Sequence, residues 1–176
     1  MAWKKLGSGC DKAFYIEQSG NGGYGAIVCN DRVAARETKA YINLKTAGVT
    51  LLPTILPWTD REGIDTGDGV VKPQYQIERL HIDMTFKPQM CAIAVLGKVR
   101  AALKGGNADR LRAGFAELES KLELICGIVG ELTLAVDKLN GRLYMLDFGP
   151  AENGDRAINQ IETIRKGLRN LSAAVA

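Results

Sequence analysis

Asp147-Phe148-Gly149 closes the apolar stretch Arg142-Leu143-Tyr144-Met145-Leu146, late in the chain. The stretch reads as a short buried β-strand, and the Asn140-Gly141 pair before it is a strong short-range hairpin signal. Such a hairpin brings one carboxylate, Asp147, to its mouth, with Gly149 allowing the backbone to turn away. A carboxylate there can hold a metal ion or act as a base; it can equally do no more than cap a loop. Near the other end, Gly7-Ser8-Gly9 comes just before Lys12. Glycines let backbone N–H groups approach a phosphate closely, and Lys12 would add charge to it. The alternative is a plain hairpin turn. Glu37 sits in a helical stretch, either as a carboxylate able to reach a cation in a neighbouring sheet or as a solvated one.

The elements that would position these groups follow from pattern. Residues 5–16 read as a strand, a Gly-Ser-Gly turn and a second strand, and residues 24–29 as a third, which together make an antiparallel meander. Residues 31–47 have helical periodicity and a stop at Gly48. Residues 49–58 carry Pro53 and Pro57 and are expected to be extended and irregular. Residues 60–69 read as an acidic surface turn and 70–80 as a strand. The composition then shifts toward helix, which places a lobe boundary between His81 and Pro88 and divides the chain into residues 1–84 and 85–176. Residues 89–104 and 109–125 read as helices, the second with Leu111, Phe115, Leu118, Leu122 and Ile125 on one face. Residues 127–136 read as a loop, 155–170 as a last helix, and the small apolar tail is expected to fray. The fold class is α+β.

Composition narrows the function. The 176 residues carry a formal net charge of +3, with Lys and Arg dispersed rather than clustered. This gives no support to a nucleic-acid or membrane-surface role. The longest apolar run, residues 90–96, is far too short to span a bilayer. Cys10, Cys29, Cys91 and Cys126 lack paired metal-site spacing, and the single histidine, His81, has no partner histidine. Free thiols in a reducing compartment fit better than a disulfide framework.

The order of the pieces resembles the protein-kinase-like fold: glycine-rich hairpin, third strand, helix with a glutamate, strand and hinge, two helices, loop, hairpin, Asp-Phe-Gly. The resemblance implies two lobes, an antiparallel N-lobe sheet with one helix and a small, mostly helical C-lobe. It implies that Gly7, Ser8 and Gly9 cover the phosphates of ATP and that Glu37 is the ion-pairing glutamate. The segment from Gln76 to Leu80, with Glu78 and Leu80, looks like the hinge beside the adenine. Glu131, in Gly130-Glu131-Leu132, lies where the family keeps its catalytic base, and Asp147 where it keeps the Mg²⁺-binding aspartate.

The sequence also departs from the family pattern. The third strand, Ala26-Ile27-Val28-Cys29, has no lysine, which leaves Lys12 as the substitute. Glu131 replaces an aspartate, and one extra methylene displaces its carboxylate enough to cost on the order of 10²-fold in positioning. Val136 stands where the loop asparagine is expected. The short stretch after Asp147 leaves no room for an activation segment or the large helices of a full C-lobe. It points to the minimal kinases of bacterial secreted effectors, working in the bacterial cytoplasm or a host cytosol. The expected function is Mg²⁺- and ATP-dependent transfer to serine or threonine of a protein. The alternative is a pseudokinase that binds nucleotide or a host protein partner without transferring phosphate.

Overall fold

Short antiparallel strands build the N-terminal sheet. The computed structural model describes residues 3–8, 11–18, 23–60, 62–82, 85–90, 93–102, 107–150 and 156–175. Within these, the chain is α+β with an antiparallel N-terminal sheet and several helices. It divides into two compact units, residues 1–36 with 53–80, and residues 37–52 with 81–176.

In the first unit, β1 (Trp3–Ser8), β2 (Lys12–Glu17), β3 (Tyr24–Cys29), β4 (Ile55–Pro57) and β7 (Tyr75–Glu78) form one sheet in the order β1-β2-β3-β7-β4. All its pairings are antiparallel. The expected Gly-Ser-Gly turn does not begin at Gly7 or Ser8. Gly7 and Ser8 still belong to β1, paired with Phe14 and Ala13 beyond an irregularity after Lys5, and Gly9 lies outside the described residues. Residues 49–58 are not wholly irregular, because β4 is an edge strand and an edge tolerates a proline such as Pro57. Gly25 is required where it stands: a Cβ there would run into the Phe14 ring and come 2.8 Å from the Tyr15 carbonyl.

Within the acidic stretch, residues 66–69 turn between β5 (Ile64–Asp65) and β6 (Val70–Val71), which pair as a small hairpin. Thr66 N–H donates to the Gly69 carbonyl and Gly67 N–H to Asp65 Oδ1. The strand expected over 70–80 is therefore two strands, β6 and β7.

Helix α1 (Asp31–Thr46) starts under Asn30, whose side chain accepts the Val33 N–H at 2.9 Å, and stops at Gly48 with φ +76°. In the second unit, β8 (Thr85–Phe86), β9 (Leu134–Val136) and β10 (Leu143–Met145) form a sheet in the order β10-β9-β8. Helices α2 (Ile93–Ala102), α3 (Ala108–Ser120), α4 (Leu122–Ile128), α5 (Arg156–Asn159) and α6 (Ile161–Val175) complete it. The apolar face from Leu111 to Ile125 is as expected, with all five side chains at most 1% exposed, although the helix bends at Lys121 between α3 and α4.

Two expectations fail here. Residues 127–136 are not all loop, because α4 runs to Ile128 and Leu134–Val136 pairs on both sides with β8 and β10. The C-terminal tail does not fray: α6 continues to Val175, with Leu171 and Val175 buried and the Arg112 guanidinium donating to the Val175 carbonyl. Small side chains let this helix pack closely, and at Gly167 a Cβ would overlap the Pro88 carbonyl. Among the described residues no helix is long and apolar enough to cross a membrane.

Candidate functional site

The β9–β10 hairpin carries Asp147, and its loop is closed by the side chains of two residues. Asp137 is 4% exposed and accepts N–H bonds from Leu139 (2.8 Å) and from His81 (3.1 Å). Asn140 Oδ1 accepts the Arg142 N–H at 2.8 Å. Gly141 has φ +70° and no room for a Cβ, which would overlap Asn107. The Asn-Gly signal thus corresponds to a real turn, with Asn140 engaged within it.

From the end of β10 onward, three backbone bonds fix the path of the Asp-Phe-Gly segment. Met145 N–H donates to the Leu51 carbonyl at 2.7 Å, Leu146 N–H to Thr133 at 3.0 Å, and Gly130 N–H to Gly149 at 2.8 Å. Val129 and Pro150 form an isolated antiparallel bridge. The chain from Val129 to Thr133 therefore runs alongside the chain from Leu146 to Pro150, and Glu131 and Asp147 lie on adjacent segments. Asp147 Oδ1 accepts the Gly149 N–H at 3.1 Å, which turns the backbone after the carboxylate.

Phe148 is buried, and its ring meets Tyr41 edge to face at 5.5 Å. Tyr41 lies one turn after Glu37 on α1, so both share one helix face, and Glu37 is 5% exposed. A carboxylate this deeply buried is not the solvated one that the sequence left open.

Glu131 is half exposed, and its Oε2 accepts a hydrogen bond from Lys87 Nζ at 2.6 Å. Behind this region, Glu117 on α3 fixes the segment that follows α1. It accepts the Thr50 N–H at 2.7 Å and the Thr50 hydroxyl, with Lys121 at 3.3 Å. Burial alone would raise the Glu117 pKa, but the Thr50 bonds and the Lys121 charge outweigh it and hold the group below its ordinary value.

The remaining expected residues lie in the first unit. Lys12 stands opposite Cys29 in the β2–β3 register and so shares a sheet face with it and with Phe14 and Ile27. Glu78 Oε2 accepts the Thr54 N–H at 2.9 Å, and Leu80, just past β7, is half-buried. Gly7 and Ser8 are exposed on β1.

Among the described residues no group of three or more His, Cys, Asp or Glu side chains could hold a metal ion. Magnesium needs only one or two carboxylates when phosphate oxygens and water complete its shell, and a donor such as Asp147 fits that requirement. Cys126 is a buried free thiol and Cys29 is half-buried at the end of β3, while Cys10 and Cys91 lie outside the described residues. Burial pushes the Cys126 thiol up to about 11 against a small opposing effect of Arg165, which makes it a poor nucleophile.

Sequence reasoning missed Asp137, Lys87 and Glu117. An aspartate just ahead of an Asn-Gly turn is a known loop-closing signal and was legible. Lys87 and Glu117 meet their partners 44 and 67 residues away in sequence, and no local pattern announces either. No protein-family model matches the chain, and no curated protein is found similar to it.

Proposed function

We propose that this chain is an ATP- and Mg²⁺-dependent phosphotransferase of the protein-kinase-like type, a minimal kinase acting on serine or threonine hydroxyls of a protein. The observation that carries the reading is the pairing of the segment holding Glu131 with the segment holding Asp147, with Phe148 packed on the α1 face that bears Glu37. The element order supports it: a five-stranded antiparallel sheet with one helix between its third and fourth strands, then helices, a hairpin and Asp-Phe-Gly.

Phosphoryl transfer requires mainly positioning and charge neutralisation. Bound MgATP supplies the phosphoryl group, its terminal P–O bond breaking toward ADP as the acceptor oxygen bonds to phosphorus. Asp147 would hold the ion and Glu131 would take the hydroxyl proton. The place of work would be a cytosol, the bacterium's own or a host's.

A second reading, a pseudokinase, is favoured by a specific observation. Strand β3 carries no lysine, and Asn140 is engaged in the hairpin turn.

The test is the thermal midpoint with and without ATP and Mg²⁺, for this chain and for Asp147→Asn. Nucleotide at 100 times its dissociation constant adds about 2.7 kcal/mol, several degrees for a chain of this length. A Mg²⁺-dependent rise that Asp147→Asn abolishes is the expected result. No rise in the unaltered chain would refute the nucleotide site. A rise without transfer of labelled phosphate to any protein or peptide acceptor would select the pseudokinase.

A further inference from the structure

Lys87 and Glu131 are both partly exposed, and an exposed ion pair usually contributes little to stability. This pair differs from most because both of its backbones are anchored. Lys87 follows Phe86, which is buried and paired with Leu134 of β9, and precedes Pro88, whose carbonyl lies against Gly167 of α6. The Lys87 carbonyl accepts the Met90 N–H at 2.9 Å. Glu131 stands between Gly130, bonded to Gly149, and Leu132, which is fully buried. Two flexible side chains thus rise from rigid stems and meet at 2.6 Å.

We propose that Lys87 is the positioning residue for Glu131, an inference that rests on reading Glu131 as the base of phosphoryl transfer. A glutamate has one more rotatable bond than an aspartate, and a misplaced base loses rate steeply. The ammonium selects one rotamer by engaging Oε2, and Oε1 becomes the oxygen that takes the hydroxyl proton. Because Lys87 acts through Glu131, its loss should lower turnover rather than nucleotide affinity.

The experiment measures transfer from labelled ATP to a mixed pool of serine- and threonine-containing peptides, for the unaltered chain, Lys87→Met and Lys87→Arg. Lys87→Met should lower kcat roughly 10- to 100-fold, leave KM for ATP within about twofold and leave the thermal midpoint within about 1 °C. Lys87→Arg, which keeps the charge, should recover most of the lost turnover. Full kcat in Lys87→Met overturns the role. So does a loss carried by KM, which would make Lys87 a nucleotide ligand, or a loss tracking a fall in thermal midpoint, which would make it structural. Transfer by none of the three proteins refutes phosphotransfer itself, and the role of Lys87 falls with it.

Discussion

Replacing Glu117 by Gln tests how the segment between α1 and β4 is held against α3. The glutamine keeps the shape of a protonated glutamate but not its charge. In the structure the carboxylate accepts both the amide and the hydroxyl of Thr50, and Lys121 stands at 3.3 Å. Hydrogen bonds to a charged acceptor contribute about 1.5–3 kcal/mol and to a neutral one about 1 kcal/mol. The Glu117 side chain is 19% exposed, so solvent screens part of that difference. The expected net loss is about 2 kcal/mol, or about 4–8 °C in thermal midpoint for a chain of this size. Because the folded-state pKa is depressed, the contribution is complete above the ordinary glutamate value of 4.5 and disappears as pH falls through the lower folded-state value. The two proteins should therefore differ at pH 7 and converge in acid. Thermal unfolding followed by circular dichroism at pH 7, 5.5, 4 and 3 measures this directly. Equal midpoints at pH 7, or a gap that persists unchanged at pH 3, would refute the argument. The consequence reaches the site, since the segment Glu117 holds also accepts the Met145 N–H through Leu51, two residues before Asp147.

Two further substitutions probe the framework. Gly167→Ala would drive a Cβ into the Pro88 carbonyl and should cost more than about 2 kcal/mol, whereas Gly97→Ala, with nothing within 4 Å, should stabilise by up to about 1 kcal/mol; urea midpoints of both decide it. Asp137→Ala removes the acceptor of the part-buried His81 and Leu139 N–H bonds at about 1 kcal/mol each, and amide exchange at both positions should accelerate relative to the α3 core.

How much of this was legible depended on the range of the forces involved. Strand β3, helix α1 and the apolar face from Leu111 to Ile125 follow from periodicity, which is local, and the structure agrees with them closely. The failures lie where partners are remote. Leu134–Val136 looks like loop because three residues carry no period; it is a strand because β8 and β10 flank it. The C-terminal residues look small and free to fray, yet Leu171 and Val175 are buried in the second unit. Gly7 and Ser8 have turn composition but remain in β1 because Phe14 and Ala13 are there to pair with them.

For the site the division is similar. Sequence alone determined that a hairpin delivers Asp147, because Asn-Gly chemistry and β-propensity act over a few residues. It singled out Glu37 on a helix and Glu131 outside one, without saying whether either is buried or paired. Only the tertiary structure decided that the segment of Glu131 runs alongside the segment of Asp147, that Tyr41 packs on Phe148, and that Lys87 reaches Glu131 across 44 residues. Backbone bonds and ring contacts between distant segments depend on how the chain closes on itself, and closure is set by the summed burial of the core rather than by any local run of residues.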